Sequence, residues 1–90
     1  MSDVGTLKDR NREWIARNPL RAWRHRYGLS MMDGAVALGI GLSSVQSWEA
    51  GAHFPTDESM QTIAGVIGED PDRLARKWRS WYEARPTVTR

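Results

Sequence analysis

The stretch from Leu29 to Gly51, LSMMDGAVALGIGLSSVQSWEAG, decides how this chain folds. Ser30 is an N-cap residue placed just before the apolar Met31, and the helix it opens runs to Leu38. Gly39 can take the left-handed conformation that ends a helix, so Gly39-Ile40-Gly41 reads as a tight turn. A second helix follows from Leu42 to about Ala50 and is closed by Gly51. Ala35 lets the two helices cross closely, and Val45 and Trp48, three residues apart, anchor the second helix to a core. Two short helices joined by a glycine turn make a helix-turn-helix unit.

Working outward, Asn18 followed by Pro19 is a cap and first helical residue. The helix they open carries Leu20, Trp23, Arg24 and Tyr27 and stops at Gly28. Ahead of it, Thr6 is placed to cap a short amphipathic segment from Leu7 to about Arg17. Its Leu7, Trp14 and Ile15 lie near one face, and Arg10, Arg12 and Arg17 point elsewhere. Downstream, Ala52-His53-Phe54-Pro55 is a loop. Thr56 then caps a helix with Met60, Ile63, Ala64 and Ile67 at core spacing and Gly68 as its stop. Asp70-Pro71 starts a longer helix with Leu74, Trp78, Trp81 and Tyr82 on one stripe, ended by Pro86, and the last four residues are expected to fray. No stretch alternates as a strand requires, so the expected class is all-α, in one domain.

Composition limits the function classes. The chain has no cysteine for a disulfide or a thiolate metal site, no apolar run of membrane-span length, and no apolar signal region in MSDVGTLKDR. A cytoplasmic protein with no membrane partner is the expectation. His25 and His53 stand far apart, no glycine-rich phosphate loop is present, and the carboxylates fall at caps and surface positions. Neither an enzyme, nor a metal site, nor a cofactor, nor a small-molecule ligand is implied.

Charge is distributed unevenly. Residues 1–30 hold seven Lys/Arg against three acids, residues 71–90 hold six against two, and residues 31–70 hold six acids with no Lys or Arg. Segment charges are thus +4, −6 and +4, two basic ends flanking an acidic centre. Eleven of the thirteen basic residues are arginine, which suits bidentate phosphate binding and is equally what a GC-rich genome would encode.

The segment containing Leu29, Ser30, Ala35, Leu38-Gly39, Val45, Trp48, Glu49 and Gly51 resembles, without a gap, the helix-turn-helix of the lambda repressor and Cro-type family. The similarity covers roughly residues 19–68. It implies a five-helix lambda-repressor-like DNA-binding domain, here with an extra short N-terminal helical segment. Residues 1–18 would then be a basic helical extension, 19–68 the DNA-binding core with its motif at 29–51, and 69–90 a C-terminal helix and tail. The resemblance also implies a structural salt bridge from Arg24, late in the first helix of the core, to Glu49.

In that family the second helix of the motif lies in the major groove with its N-terminal residues against base edges. By position, the resemblance makes Leu42, Ser43, Gln46 and Ser47 the base readers, with Ser44 nearer the phosphates. Gln46 can bond an adenine edge bidentately, and Leu42 can meet a thymine methyl. Phosphates would be held by backbone N–H groups at Ser30 and Met31, by His53, by Arg21, Arg24 and Arg26, and by Arg10, Arg12 and Arg17. Met31 stands where family members usually have glutamine, and Gly34 where they have a larger apolar residue. The motif itself has no cation, so positive charge has to come from the chain ends.

The stripe of Trp78, Trp81 and Tyr82 admits two readings, packing back on the N-terminal segment or forming a two-fold dimer interface. The resemblance implies a phage- or plasmid-type transcription repressor binding a near-palindromic double-stranded DNA operator as a homodimer. The rival is a protein-interaction module on the same fold, such as an antitoxin or accessory factor whose acidic centre faces a protein partner.

Overall fold

A computed structural model describes residues 3–87, with side chains from residue 6 onward. Residues 88–90, where fraying was expected, lie outside the described residues. Six helices follow one another: α1 Asp3–Ala16, α2 Pro19–Arg26, α3 Met31–Leu38, α4 Leu42–Glu49, α5 Asp57–Ile67 and α6 Pro71–Glu83. The described residues contain no strand, so the fold is all-α.

Helix boundaries follow local chemistry. Asn18 Oδ1 accepts from the backbone N–H groups of Leu20 and Arg21, and Pro19 occupies the first position of α2, where a missing N–H does no harm. Thr56 Oγ1 accepts from Ser59 N, and Asp70 Oδ2 from Arg73 N, opening α5 and α6. Gly39 and Gly68 close α3 and α5 in the left-handed conformation, at φ 67° and 84°. One boundary differs from the sequence reading: Thr6 does not cap α1 but lies inside it. Val4 and Gly5 continue the helix toward Asp3; the glycine costs about 1 kcal/mol relative to alanine, which does not by itself end a helix.

The core gathers one face of every helix. Leu20 and Trp23 of α2, Ala35 and Leu38 of α3, Val45 and Trp48 of α4, Met60, Ile63 and Ala64 of α5, and Leu74, Trp78 and Trp81 of α6 are buried. Each fully buried large side chain contributes roughly 1.5 to 3 kcal/mol by leaving water, so the thirteen buried apolar residues hold the six short helices together. The closest pairings are α5 with α6 and α3 with α4.

The N-terminal helix joins this core through buried Trp14, with Ile15 packed beside it. Trp14 stacks on Trp81 with ring centroids 4.2 Å apart and planes 2° from parallel. Each indole Nε1 donates to the other residue's carbonyl oxygen at 2.6 Å. Trp78 is fully buried and Trp81 is 7% exposed, so this part of the aromatic stripe is consumed within one chain. The reading of Trp78 and Trp81 as a dimer interface is therefore corrected. Tyr82 is half-buried edge-on to Phe54, at 5.6 Å between centroids.

Candidate nucleic-acid interface

The α3-turn-α4 unit is built from its caps inward. Ser30 and Asp33 form a capping box: Ser30 Oγ accepts from Asp33 N at 3.0 Å, and Ser30 N donates to Asp33 Oδ2 at 3.2 Å. The N–H of Gly39 returns to α3 carbonyls, and Ile40 N donates to Ala35 O at 3.1 Å, which fixes the turn. Gly41 then opens α4 without a side-chain cap, in contrast to α2, α3, α5 and α6. The first N–H groups of α4 are thus left for solvent or a ligand.

Val45 and Trp48 bury the inner face of α4, and that choice fixes the outer one. Ser43 and Gln46 are exposed, and Leu42, Ser44 and Ser47 are half-buried beside them. Residues three and four apart share a helix face, so Ser43, Gln46 and Ser47 form one outward stripe of short polar side chains. The loop beyond is held down at its apolar end: Phe54 meets Trp78 edge-on at 6.5 Å, Arg79 sits over the Phe54 ring at 4.7 Å, and Ser47 O accepts from Ala52 N at 2.9 Å. His53, beside it, is exposed.

The back of α4 is tied to α2 by two polar links. Arg24 Nε and Nη2 each donate to a Glu49 oxygen at 2.6 Å, and Arg24 Nη1 donates to Leu29 O at 2.8 Å. Glu49 is 1% exposed and Arg24 5%. The hydrogen bond to Glu49 raises the Arg24 pKa above the ordinary arginine value, burial pulls it the other way, and the Glu49 charge adds to the rise. The stem of Arg24 crosses α3 at Gly34, where a Cβ would lie 2.9 Å from Arg24 Cδ. The second link is Asn18 Nδ2, which donates to Trp48 O at 3.2 Å from a fully buried side chain.

Two sequence assignments change in this light. Arg24 is no phosphate ligand: its donors face Glu49 and Leu29, and drawing them outward would strand a buried carboxylate. The Ser30 N–H is likewise bonded to Asp33, and a carboxylate at that helix start repels a phosphate. Met31 remains half-buried beside it. Arg21 is half-buried, and Arg26 and Arg12 are exposed. Arg10 and Arg17 are exposed too, but they line a cleft between α1 and α6 that includes no α4 residue. They gather with Lys77 and Arg85 rather than with Ser43 and Gln46.

Most of the acidic centre has internal work. Glu49 pairs with Arg24, Asp33 and Asp70 cap helices, and Glu69 meets Lys77 at 3.2 Å. Asp57 and Glu58 lie in the first turn of α5, where the helix dipole favours them. Sequence reasoning missed the Asn18–Trp48 link and the seat of Trp14 on Gly51, where a Cβ would overlap the indole. Among the described residues no group of three or more His, Asp or Glu could hold a metal ion, and no helix is long and apolar enough to cross a membrane.

Comparison with models of known families, with curated proteins and with solved structures finds no match.

Proposed function

We propose that this protein is a sequence-specific DNA-binding transcription regulator of the Cro type, a cytoplasmic repressor that sets α4 into the major groove of a near-palindromic operator. One observation carries the reading: α4 is fixed from behind by Val45, Trp48 and the Arg24–Glu49 pair while Ser43 and Gln46 stand outward. A rigid helix with a polar outer stripe and an uncapped N-terminus is what groove entry needs. Leu42, Ser43, Gln46 and Ser47 read base edges; Ser44, the free N–H groups of α4, His53, Arg21, Arg26 and Arg12 supply phosphate contacts. Two copies bind two half-sites about one helical turn apart, joined through a surface other than buried Trp78 and Trp81. The rival, a protein-interaction module docking through its acidic centre, loses ground because four of the six carboxylates there are engaged within the chain.

The test is a titration on the DNA beside the protein's own gene, at two salt concentrations, with wild type and Gln46→Ala. The expected result is a discrete footprint, affinity falling steeply with salt, and a loss of about 1 to 3 kcal/mol in the variant. Weak, sequence-blind binding that Gln46→Ala leaves untouched overturns the reading.

A further inference from the structure

The cleft between α1 and the end of α6 has a volume of about 590 Å³, in the range of small-molecule sites. Four cations line it, Arg10, Arg17, Lys77 and Arg85, against one carboxylate, Glu13. Its apolar lining is Pro19 and Pro86 with the edges of Trp14 and Trp81, whose faces are taken up by each other. Cations gathered in a concavity with low-dielectric walls focus a positive field.

The cations are held from the protein side. Arg85 donates to Gly51 O and lies over the Trp14 ring at 5.0 Å and the Tyr82 ring at 5.1 Å. Arg10 Nη2 reaches Thr87 O at 3.4 Å, and Lys77 Nζ meets Glu69 at 3.2 Å. A guanidinium has five N–H donors, so Arg10 and Arg85 keep donors for a ligand after these bonds are made. Arg17 is exposed at the cleft and adds a further guanidinium.

We propose that this cleft binds a phosphate monoester of mononucleotide size. A phosphate monoester carries roughly −1.5 to −2 charge at neutral pH with three acceptor oxygens, and matches the guanidinium forks where a single carboxylate would leave most of the cations unpaired. Glu13 accepts from a hydroxyl of the ligand's sugar, and the ligand's base lies against Pro19, Pro86 and the edges of the two indoles. A duplex backbone passing over the cleft would leave its interior unfilled. Because Arg85 also holds Gly51 O, two residues beyond the end of α4, an occupant that engages Arg85 acts on the segment that follows α4.

The experiment is calorimetric titration of the full chain with AMP at low salt, with adenosine as the phosphate-free control, and with the indole N–H signals of the tryptophans followed by NMR. Saturable one-to-one binding of AMP, none of adenosine, and shifts of the Trp14 and Trp81 signals are expected. Arg17→Ala and Lys77→Ala, both at exposed positions, should each weaken AMP about tenfold while leaving the thermal midpoint near that of wild type. No saturable binding of AMP overturns the proposal, as does binding that neither variant weakens. Variants that lose affinity for duplex DNA while wild type ignores AMP would make the cleft a backbone contact, which also overturns it.

Discussion

Arg24 and Glu49 face each other in a two-pronged ion pair, both N···O distances 2.6 Å, closed off from water between α2 and the end of α4. Removing one partner strands the other, so Glu49→Ala should lose about 3 to 5 kcal/mol of stability in urea denaturation. Replacing both residues by apolar ones of similar volume should recover much of that loss. A single variant as stable as wild type would show that the pair is not isolated from solvent.

The same pair sets a pH expectation. A folded-state pKa raised above the unfolded value gives stability that is complete below the unfolded value and lost as pH rises through the folded one. For Arg24 both lie in the strongly alkaline range, so this group adds no slope to stability through neutral and mildly alkaline pH. Lysine at position 24 should introduce an alkaline loss at lower pH, together with the loss of the fork geometry. Denaturation midpoints of Arg24→Lys and wild type across pH 7 to about pH 10 measure the difference.

Gly34→Ala sets two effects against each other. Alanine gains about 1 kcal/mol of helix propensity, but its Cβ would meet Arg24 Cδ at 2.9 Å and Cγ at 3.2 Å. The stem cannot swing away freely because its guanidinium is bonded at three nitrogens. Overpacking of this kind costs about 1 to 3 kcal/mol, so a net loss of roughly 1 to 2 kcal/mol is expected from thermal melts. A stabilised variant would mean that the Arg24 stem can shift while keeping Glu49.

Asn18 has two roles that two substitutions separate. Asn18→Asp keeps an acceptor for Leu20 N and Arg21 N but loses the donor to Trp48 O and buries a charge. Asn18→Ala loses the cap as well. A loss of about 2 kcal/mol for alanine is expected in denaturant titrations. If aspartate were as stable as asparagine, the bond to Trp48 would contribute nothing.

The stacked indoles can be tested as a pair. Trp14→Phe and Trp81→Phe each remove one N–H donor and part of the stack, so each should lose about 1 to 3 kcal/mol. The double variant should lose less than the sum, and the coupling in a double-mutant cycle measures the interaction. Strict additivity would mean that the two rings do not act together.

Legibility in the sequence followed range along the chain. Caps at Asn18, Ser30, Thr56 and Asp70 and the stops at Gly39 and Gly68 are decided by a few neighbouring residues, and all could be read directly. The Asp33 carboxylate over the Ser30 N–H was also readable, three residues on, and reading that N–H as a phosphate donor overlooked it. The Trp14–Trp81 pair and the Asn18–Trp48 link join distant positions, and nothing local to either end selects its partner. Gly34 signalled by what it lacks: only the path of Arg24 explains why no side chain fits there. Of the candidate site, the outward stripe of α4 followed from Val45 and Trp48 facing in, whereas the gathering of Arg10 and Arg17 with Lys77 and Arg85 depended on how α1 docks.

That docking bears on the order in which the chain acquires its structure. Trp14 and Trp81 are 67 residues apart, while α3 meets α4 and α5 meets α6 across short turns. Local contacts close quickly, and distant ones wait on the closure of a long loop. During synthesis, at roughly 5 to 20 residues per second, α1 can meet α2 early, but the stacking partner of Trp14 comes only with α6. The rest of the helical bundle can therefore assemble around Val45 and Trp48 before the Trp14–Trp81 stack forms, which makes that stack a late contact of folding.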